Sequence, residues 1–223
     1  RERGLVMDIT QADHKAVTDA VAAAELTTSG EIVTVVAKES DGYTDVALAL
    51  SALVSFTALV LLAFFPEPAL GMFDLVSDGW NTEWTPSGLF GLASGIGIAV
   101  FLLVFVLTLV PGIRFALIPG RVKTLRVEDA AIRHFKVGAE RRTHGRTGVL
   151  IFVSLREHRA QIVADSAIAD KVAPEVWGAA MVDMVREIKR GDLGAGIAAG
   201  VRDVGEVLSE HFPRAEDDEN ELP

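Results

Sequence analysis

The chain has 223 residues, of which 50% are hydrophobic and 23% are charged, with a formal net charge of −10 and a mean hydropathy of +0.34. This combination is unusual for a wholly soluble globular protein. The acidic balance leaves no basic footprint for a nucleic-acid partner, and the absence of cysteine excludes disulfides, thiolate metal sites and thiol nucleophiles.

The N-terminal segment, residues 1–45, is predicted to form a helix followed by a strand. Thr10 and Asp13 have the spacing of a capping box, and small apolar residues recur behind them at helical intervals. From Glu31 to Lys38 the chain is rich in Val and Ile without a helical stripe, which is typical of a strand buried on both faces. Such a strand needs a partner, because an unpaired edge in water exposes backbone hydrogen-bonding groups.

Two apolar segments, residues 46–65 and 88–110, contain no Asp, Glu, Lys, Arg or His. Each is close to the ~20 residues that a transmembrane helix needs. The alternative is a pair of buried core helices, although core helices seldom run this long without a polar face. The sequence therefore predicts a transmembrane hairpin over residues 46–110, with the lipid bilayer as its partner.

Charge on the flanks of the spans predicts the orientation of the hairpin. The connecting segment, residues 66–87, carries acidic residues but no Lys or Arg, whereas Arg114, Arg121, Lys123 and Arg126 follow the second span. By the positive-inside rule, this segment faces out and both termini are cytoplasmic. We expect an integral protein of the cytoplasmic (inner) membrane whose globular domain is cytoplasmic.

Small residues of the second span, including Gly88, Gly91 and Gly95, lie on overlapping helix faces. Small residues let helix backbones approach closely in a membrane. Their partner is either the first span of the same chain or a span of another copy, so self-association through the spans stays open.

The returning segment, residues 111–212, is predicted to complete the cytoplasmic domain. A helix ends near Gly138, and two apolar runs, Val149–Ser154 and Ala160–Asp165, flank a short polar turn as in a β-hairpin. Two further helices follow, and residues 213–223 form an acidic tail predicted to be disordered. This order predicts an α/β sandwich, a sheet flanked by helices, interrupted by the transmembrane hairpin.

Several strings carry a resemblance to a known family: "TSGEIVTVV" from Thr28, "RTGVLIFVSLREHRAQIVADSAI" from Arg146 and "GDLGAGIAAGVRDVGEVLSEHFP" from Gly191. They resemble the TPM domain, which is shared by a thylakoid lumen protein, a photosystem II repair protein and a receptor modulator. The string "IPGRVKTLRVEDAAIRHF", which follows the two spans, resembles the bacterial membrane-anchored subgroup. The resemblance implies a central sheet flanked by helices, and some soluble relatives are described as acid phosphatases or as binders of calcium-like cations.

The chain departs from the soluble members of that family at two positions. Those members carry Asp-Asn-Gly where this chain has Arg146, Thr147 and Gly148, and a Gly-Tyr-Gly-Leu-Glu where it has Ala164–Ile168. An arginine in place of a metal ligand argues against cation binding and metal-assisted phosphatase action. Glu31, a recurring family feature, is interpreted as part of a turn and cap after the first helix.

Three carboxylates form the candidate metal site. Asp165, Asp170 and Glu175 follow a strand end and lead into the next helix, a common place for sites in α/β folds. Together they predict a site for Ca²⁺ or Mg²⁺, which prefer oxygen ligands. In the alternative interpretation, Asp170 and Glu175 are helix-start charges favoured by the helix dipole, and Asp165 caps a turn.

A basic loop, residues 140–148, is the candidate anion-binding site. It gathers Arg142, His144 and Arg146 beside a strand, and such groups can hold a phosphate or a carboxylate. In the alternative interpretation, the loop lies near the anionic inner leaflet of the membrane.

These patterns predict a membrane-anchored binding or assembly and maintenance module whose partner is a membrane protein. A hydrolase that cleaves phosphate esters with the help of a metal ion is the alternative. The two hypotheses differ in whether Asp165, Asp170 and Glu175 converge in an open cleft.

Overall fold

The structure is a computed structural model that describes residues 9–76, 84–138 and 147–214. In chain order its elements are α1 (Gln11–Glu25), β1 (Glu31–Ala37), α2 (Thr44–Phe64), α3 (Glu67–Val76), α4 (Pro86–Thr108), α5 (Pro111–Leu117), α6 (Gly120–Gly138), β2 (Gly148–Ser154), β3 (Arg159–Ala164), α7 (Ser166–Ala169), α8 (Pro174–Lys189) and α9 (Leu193–His211). They fall into two compact units. Arg1–Asp41 and Pro119–Pro223 form the α/β unit, and Gly42–Ile118 form the helical unit.

The α/β unit contains a three-stranded sheet in the order β1-β2-β3. Strands β1 and β2 are parallel, with Glu31 opposite Gly148 and Ala37 opposite Ser154. Strands β2 and β3 are antiparallel and form the predicted hairpin. The strand that pairs with β1 is therefore β2, which follows the inserted helical unit in the sequence.

Side chains of β2 alternate between two apolar cores because successive residues of a strand point to opposite faces. Ile151 is fully buried in the core formed with α1, α8 and α9, and Phe152 is fully buried in the core formed with α6. Burying one such side chain stabilises the fold by roughly 1.5–3 kcal/mol. The predicted sheet flanked by helices is confirmed for the α/β unit.

Helix α9 lies between α1 and α8 and packs through its glycines. A Cβ atom on Gly196 would lie 2.6 Å from Ile188 Cγ1 and 2.9 Å from the Met184 carbonyl oxygen of α8. On the opposite side, a Cβ on Gly205 would lie 2.7 Å from the Cβ of Ala24 in α1. Glycine at these positions brings three helix backbones close together over one face of the sheet.

In the helical unit, α2 and α4 are packed side by side. The Ser55 hydroxyl donates to the Gly97 carbonyl oxygen at 2.8 Å, and a Cβ on Gly97 would lie 3.2 Å from both terminal methyls of Leu59. Both helices are long and apolar enough to cross a membrane, yet only 17% and 6% of their most apolar windows are buried. A core helix of a soluble protein is mostly buried, whereas most residues in these two windows are not.

The two ends of the helical unit are tied to each other. Tyr43, just before α2, adopts a left-handed backbone conformation with φ of 52° and is fully buried. Its ring meets that of Phe115 edge-on at 5.6 Å, and Arg114 Nη1 donates to the Gly42 carbonyl oxygen at 2.8 Å. These contacts hold the segment before α2 against α5.

The structure differs from the predictions mainly in short helices. Helices α2 and α4 begin and end within two residues of the bounds predicted for the two apolar segments, but α3 lies in the connecting segment that was expected to be a loop. Pro68 in its first turn and the good helix formers Ala69, Leu70 and Met72 explain why this segment is helical. Of the predicted acidic tail, residues 213–223, only Pro213 and Arg214 are described: Pro213 forms a β-bridge with Thr28, and the Arg214 amide donates to the Thr27 carbonyl oxygen at 3.3 Å. Residues 215–223 and the outer segment 77–83 lie outside the described residues.

Candidate functional site at one end of the sheet

The starts of β1 and β2 and the end of β3 meet at one end of the sheet. Glu31 opens β1 opposite Gly148, and its amide donates to the Thr147 carbonyl oxygen at 3.0 Å. Asp165 directly follows β3, and its amide donates to the Gly148 carbonyl oxygen at 2.9 Å. The fold therefore brings Glu31 and Asp165 to the two sides of Gly148, although they are far apart in sequence.

Asp165 is only 5% exposed, and its carboxylate is engaged within the sheet. It occupies the N-cap position of α7, but its side chain caps no amide of that helix. Instead its Oδ2 accepts a hydrogen bond from the Gly148 amide at 3.1 Å. The carboxylate thus fixes the start of β2. Asp165 does lie at a capping position, as predicted, but its side chain makes no capping hydrogen bond there.

Glu25 and Glu31 form a pair of neighbouring carboxylates beside this end of the sheet. Glu31 is 6% exposed, and Glu25 is half-buried at the end of α1. Burial raises the pKa of Glu25 first of all, and the negative charge of Glu31 raises it further; the Ile32 amide and the positive charge of Arg214 act in the opposite direction. The folded state therefore favours the protonated form of Glu25.

Sequence reasoning missed Glu25 and treated Glu31 only as a turn residue. The turn itself is organised by Thr28, whose hydroxyl accepts from the Gly30 amide at 3.0 Å and donates to the Phe212 carbonyl oxygen at 2.6 Å. This turn brings the end of α1 beside the start of β1. One sequence signal could have pointed to this site. Glu31 is an acidic residue at the start of a strand that the sequence pattern predicts to be buried on both faces.

The structure does not bring the predicted trio of Asp165, Asp170 and Glu175 together. Asp170 is exposed at the end of α7, and Glu175 is exposed in the first turn of α8, where the helix dipole favours its charge. Within residues 9–76, 84–138 and 147–214, no three His, Asp or Glu side chains are grouped so that they could hold a metal ion. The helix-start interpretation fits Glu175.

The predicted anion-binding residues Arg142, His144 and Arg146 lie outside the described residues. Thr147 next to them is described, and its hydroxyl donates to the Ser29 carbonyl oxygen at 3.1 Å. The anion site stays a prediction.

At the opposite end of the sheet, Glu157 ties β1 to the hairpin. It is 3% exposed, and its carboxylate accepts from the Ser40 amide at 2.8 Å and from the Ser154 hydroxyl. The Glu39 and Arg156 side chains add an ion pair at 2.7 Å across the same junction. A carboxylate so covered has no path to a ligand, so its role is to hold the chain where β1 ends.

A small cavity lies between α1, β1 and α9, beside Asp13, His14 and Thr34. Its volume is about 120 Å³, which is below the ~300–1,000 Å³ typical of small-molecule sites. Asp13 is already engaged there, because its carboxylate accepts from the Thr10 amide at 2.8 Å in the capping box. This cavity is therefore too small to be a typical small-molecule substrate pocket.

Comparison with known proteins agrees with the resemblance read from the sequence. Residues 113–207 match the TPM domain family. The chain is also similar to the NMR structure of BA42 protein from the psychrophilic bacterium Bizionia argentinensis, with 20% identity, a TM-score of 0.54, and coverage of 98% of this chain and 94% of that one. At this identity the likeness concerns the fold, and no curated protein matched the chain. The family match spans α6, the β-hairpin, α8 and most of α9, so residues 113–207 are the part of this chain that matches the TPM domain.

Proposed function

We propose that this protein is a membrane-anchored TPM-domain module that binds and helps to assemble or maintain a membrane complex. The helical unit is the anchor in the cytoplasmic membrane, and the α/β unit is the cytoplasmic binding part. The observation that carries the proposal is the pair of long apolar helices, of which only 17% and 6% of the most apolar windows are buried.

Exposed side chains of the helical unit suit a lipid environment. Leu53 is 64% exposed and Phe90 is 74% exposed, which in water would be a large unfavourable apolar surface. The hydroxyls of Ser51 and Thr57 donate to the carbonyls of Ala47 and Leu53 one turn earlier. Polar groups in hydrocarbon must be satisfied within the protein, and these hydroxyls meet that condition.

The same charge pattern that predicts the orientation supports a cytoplasmic α/β unit. Acidic Glu67 and Asp74 lie on α3 between the spans, whereas Arg114 follows α4 and Arg121 and Lys123 open α6. The positive-inside rule places the basic side in the cytoplasm.

The state of the acidic residues favours a binding role over catalysis. Asp165 is buried and bonded to Gly148, whereas Asp170 and Glu175 are exposed. The cavity described in the α/β unit is too small for a typical substrate.

Thiol labelling tests the membrane topology, because the chain has no cysteine of its own. We expect a membrane-impermeant maleimide to label Glu67→Cys in intact spheroplasts and to label Glu206→Cys only after lysis. Both positions are exposed, so burial does not bias the comparison. Equal labelling of both variants in intact spheroplasts would contradict the topology.

Co-purification tests the binding role. The full chain and a chain limited to residues 42–118 would be isolated from mildly solubilised membranes. We expect a membrane protein to be recovered in a fixed ratio with the full chain and lost with the shorter one. Equal recovery on both chains, or no such partner, would reject the α/β unit as the binding part.

A metal-assisted phosphatase is the second candidate, and the adjacent carboxylates of Glu25 and Glu31 are the observation that favours it. Ca²⁺ or Mg²⁺ that binds only the folded chain would raise its apparent unfolding temperature by mass action. We would titrate each ion during thermal unfolding and repeat the titration with Glu31→Gln and with Asp165→Ala. A shift that either variant abolishes would justify a phosphatase assay, and no shift at millimolar ion would reject the candidate.

A further inference from the structure

Helix α8 has an exposed outer face that no described element covers. Its inner side packs on α9 through the buried residues Ala180 and Met184. Its outer side carries five exposed positions at alternating spacings of three and four residues: Glu175, Gly178, Val182, Val185 and Lys189. This is the spacing of the contact seam in coiled coils, and we call these five residues the α8 seam.

The centre of the α8 seam is apolar and sterically open. Val182 is 61% exposed and Val185 is 36% exposed. A Cβ atom on Gly178 would meet no atom within 4 Å, so a second helix has room to approach there. The seam has the features of a helix-docking surface.

Helix α1 provides the comparison within the same layer, because it packs on the other side of α9. Its outer side shows a Lys15–Asp19 ion pair at 2.8 Å, and α1 contributes none of the exposed large hydrophobic residues. An outward apolar seam is therefore a feature of α8 in particular and not of the whole layer.

Charges at the two ends of the seam indicate what covers it. Glu175 and Lys189 are each seven residues from Val182, and neither has an ion-pair partner among the residues that the structure describes. An antiparallel copy of α8 centred on Val182 would place Glu175 beside Lys189 of the second copy at both ends of the pair. A parallel copy would instead oppose like charges. Antiparallel alignment also sets the helix dipoles in opposite directions.

We propose that the α8 seam is a self-docking surface at which two copies of this chain pair antiparallel about a two-fold axis through Val182. Such an isologous contact uses the same patch on both subunits. It lies in the α/β unit and is separate from any association through the spans.

Disulfide trapping on the full, detergent-solubilised chain tests the proposal. Val182→Cys lies next to its own counterpart at the axis, so proximity should make its disulfide-linked dimer form at least about tenfold faster than that of a matched control. The control is Ala22→Cys, which is exposed on the outer side of α1. Equal rates for the two variants would overturn the proposal.

Mixing two single-cysteine chains tests the antiparallel alignment. Glu175→Cys mixed with Lys189→Cys should give mostly mixed disulfide dimers, whereas a parallel pair would give mostly dimers of each variant with itself. Predominant like-with-like dimers would overturn the proposal.

Charge reversal provides the third readout. With Val182→Cys as reporter, Glu175→Lys should slow trapping, and addition of Lys189→Glu should restore it. All of these positions are on the surface, and unchanged unfolding transitions would show that the variants are folded. If the folded chain with both Glu175→Lys and Lys189→Glu does not regain the trapping rate, the proposed pairing of residue 175 with residue 189 of the second copy is wrong.

Discussion

Helices α9 and α4 are both rich in glycine, but they use it differently. In α9, a Cβ added to Gly196 or Gly205 would come within 3 Å of a neighbouring helix. In α4, only Gly97 faces its partner helix closely, whereas a Cβ on Gly91 or Gly95 would meet nothing within 4 Å. The two helices have similar small-residue patterns in sequence and opposite surroundings in the structure.

This difference shows that small residues in a helix sequence do not by themselves indicate close helix packing, because a neighbouring helix must also lie against them. Helix α9 sits in a core from which water is excluded, and its glycines set the distance to α1 and α8. Helix α4 meets α2 at Gly97 and leaves its other glycines facing outwards. Replacing a glycine by alanine should therefore lower the free energy of unfolding strongly at a packed position of α9 and only slightly at an open position of α4.

The largest expected effect is that of Gly196→Ala. The new methyl group would overlap the Ile188 side chain and the Met184 carbonyl oxygen, and overpacking of this kind costs about 1–3 kcal/mol. Gly95→Ala is the matched control in α4, where the site is open. Denaturant unfolding in detergent measures both, and equal losses would break the contrast between the two helices.

The next effect concerns the helix caps of the two units. Thr10→Ala removes the acceptor for the Asp13 amide and one half of the capping box of α1, which should cost about 1 kcal/mol. Asp13 also depends on this arrangement, since its hydrogen bonds from Thr10 lower its pKa. The stability of Thr10→Ala should consequently decline less steeply than wild type as pH falls through the acidic range, where wild-type Asp13 becomes protonated.

Thr85→Ala is the companion variant, because Thr85 accepts from the Gly88 amide at the start of α4. We expect Thr85→Ala to lower the stability of the helical unit and to leave the unfolding transition of the α/β unit unchanged. A parallel loss in both transitions would mean that the two units unfold as one.

A smaller effect is expected for Ser55→Ala in α2. This variant loses the hydrogen bond to the Gly97 carbonyl oxygen, and interhelical hydrogen bonds in membranes contribute on average about 0.6 kcal/mol. Thr57→Ala is the control, because the Thr57 hydroxyl bonds within its own helix. Steric trapping or unfolding in mild detergent can compare them, and an equal loss would argue that the Ser55 bond does not join the helices.

The smallest effect should be the pH dependence that Glu25 causes. Its pKa is raised above the ordinary 4.5 by burial and by Glu31. The folded state therefore favours the protonated form, so this contribution is complete below pH 4.5 and is lost as the pH rises through the folded-state pKa. Partial exposure screens the effect, which is why we expect it to be small.

Glu25→Gln removes this titration and isolates its contribution. The stability of wild type relative to Glu25→Gln should fall as the pH increases from 4.5 towards neutrality. Urea unfolding at several pH values measures the difference. A constant difference across that range would show that Glu25 does not titrate differently in the two states.

Local pattern was sufficient to predict most of the fold. The capping box at Thr10, the strand from Glu31 and the β-hairpin are specified by residues close together in sequence, and the structure confirms each. The two long apolar helices were predicted from length and composition alone. Helices α3 and α5 were missed because short helices with mixed composition lack a clear periodicity over one or two turns.

The site could not be predicted to the same extent, because it depends on contacts between distant segments. Asp165, Asp170 and Glu175 are close in sequence, but α7 separates them, and Asp165 is instead bonded to Gly148 on a neighbouring strand. Glu25 and Glu31 become neighbours only because the Thr28 turn docks on Phe212 near the end of α9. Apart from the acidic residue at the start of a strand predicted to be buried, such long-range packing leaves no signal in a single sequence.

The parallel pairing of β1 with β2 also dictates the order of events during synthesis. Ala37 leaves the ribosome before the whole helical unit, whereas its partner strand from Gly148 leaves after it. The nascent chain must therefore hold β1 unpaired while both apolar helices emerge, and long-range closure of this kind is slow. The N-terminal segment thus remains accessible to chaperones and proteases until β2 has been translated.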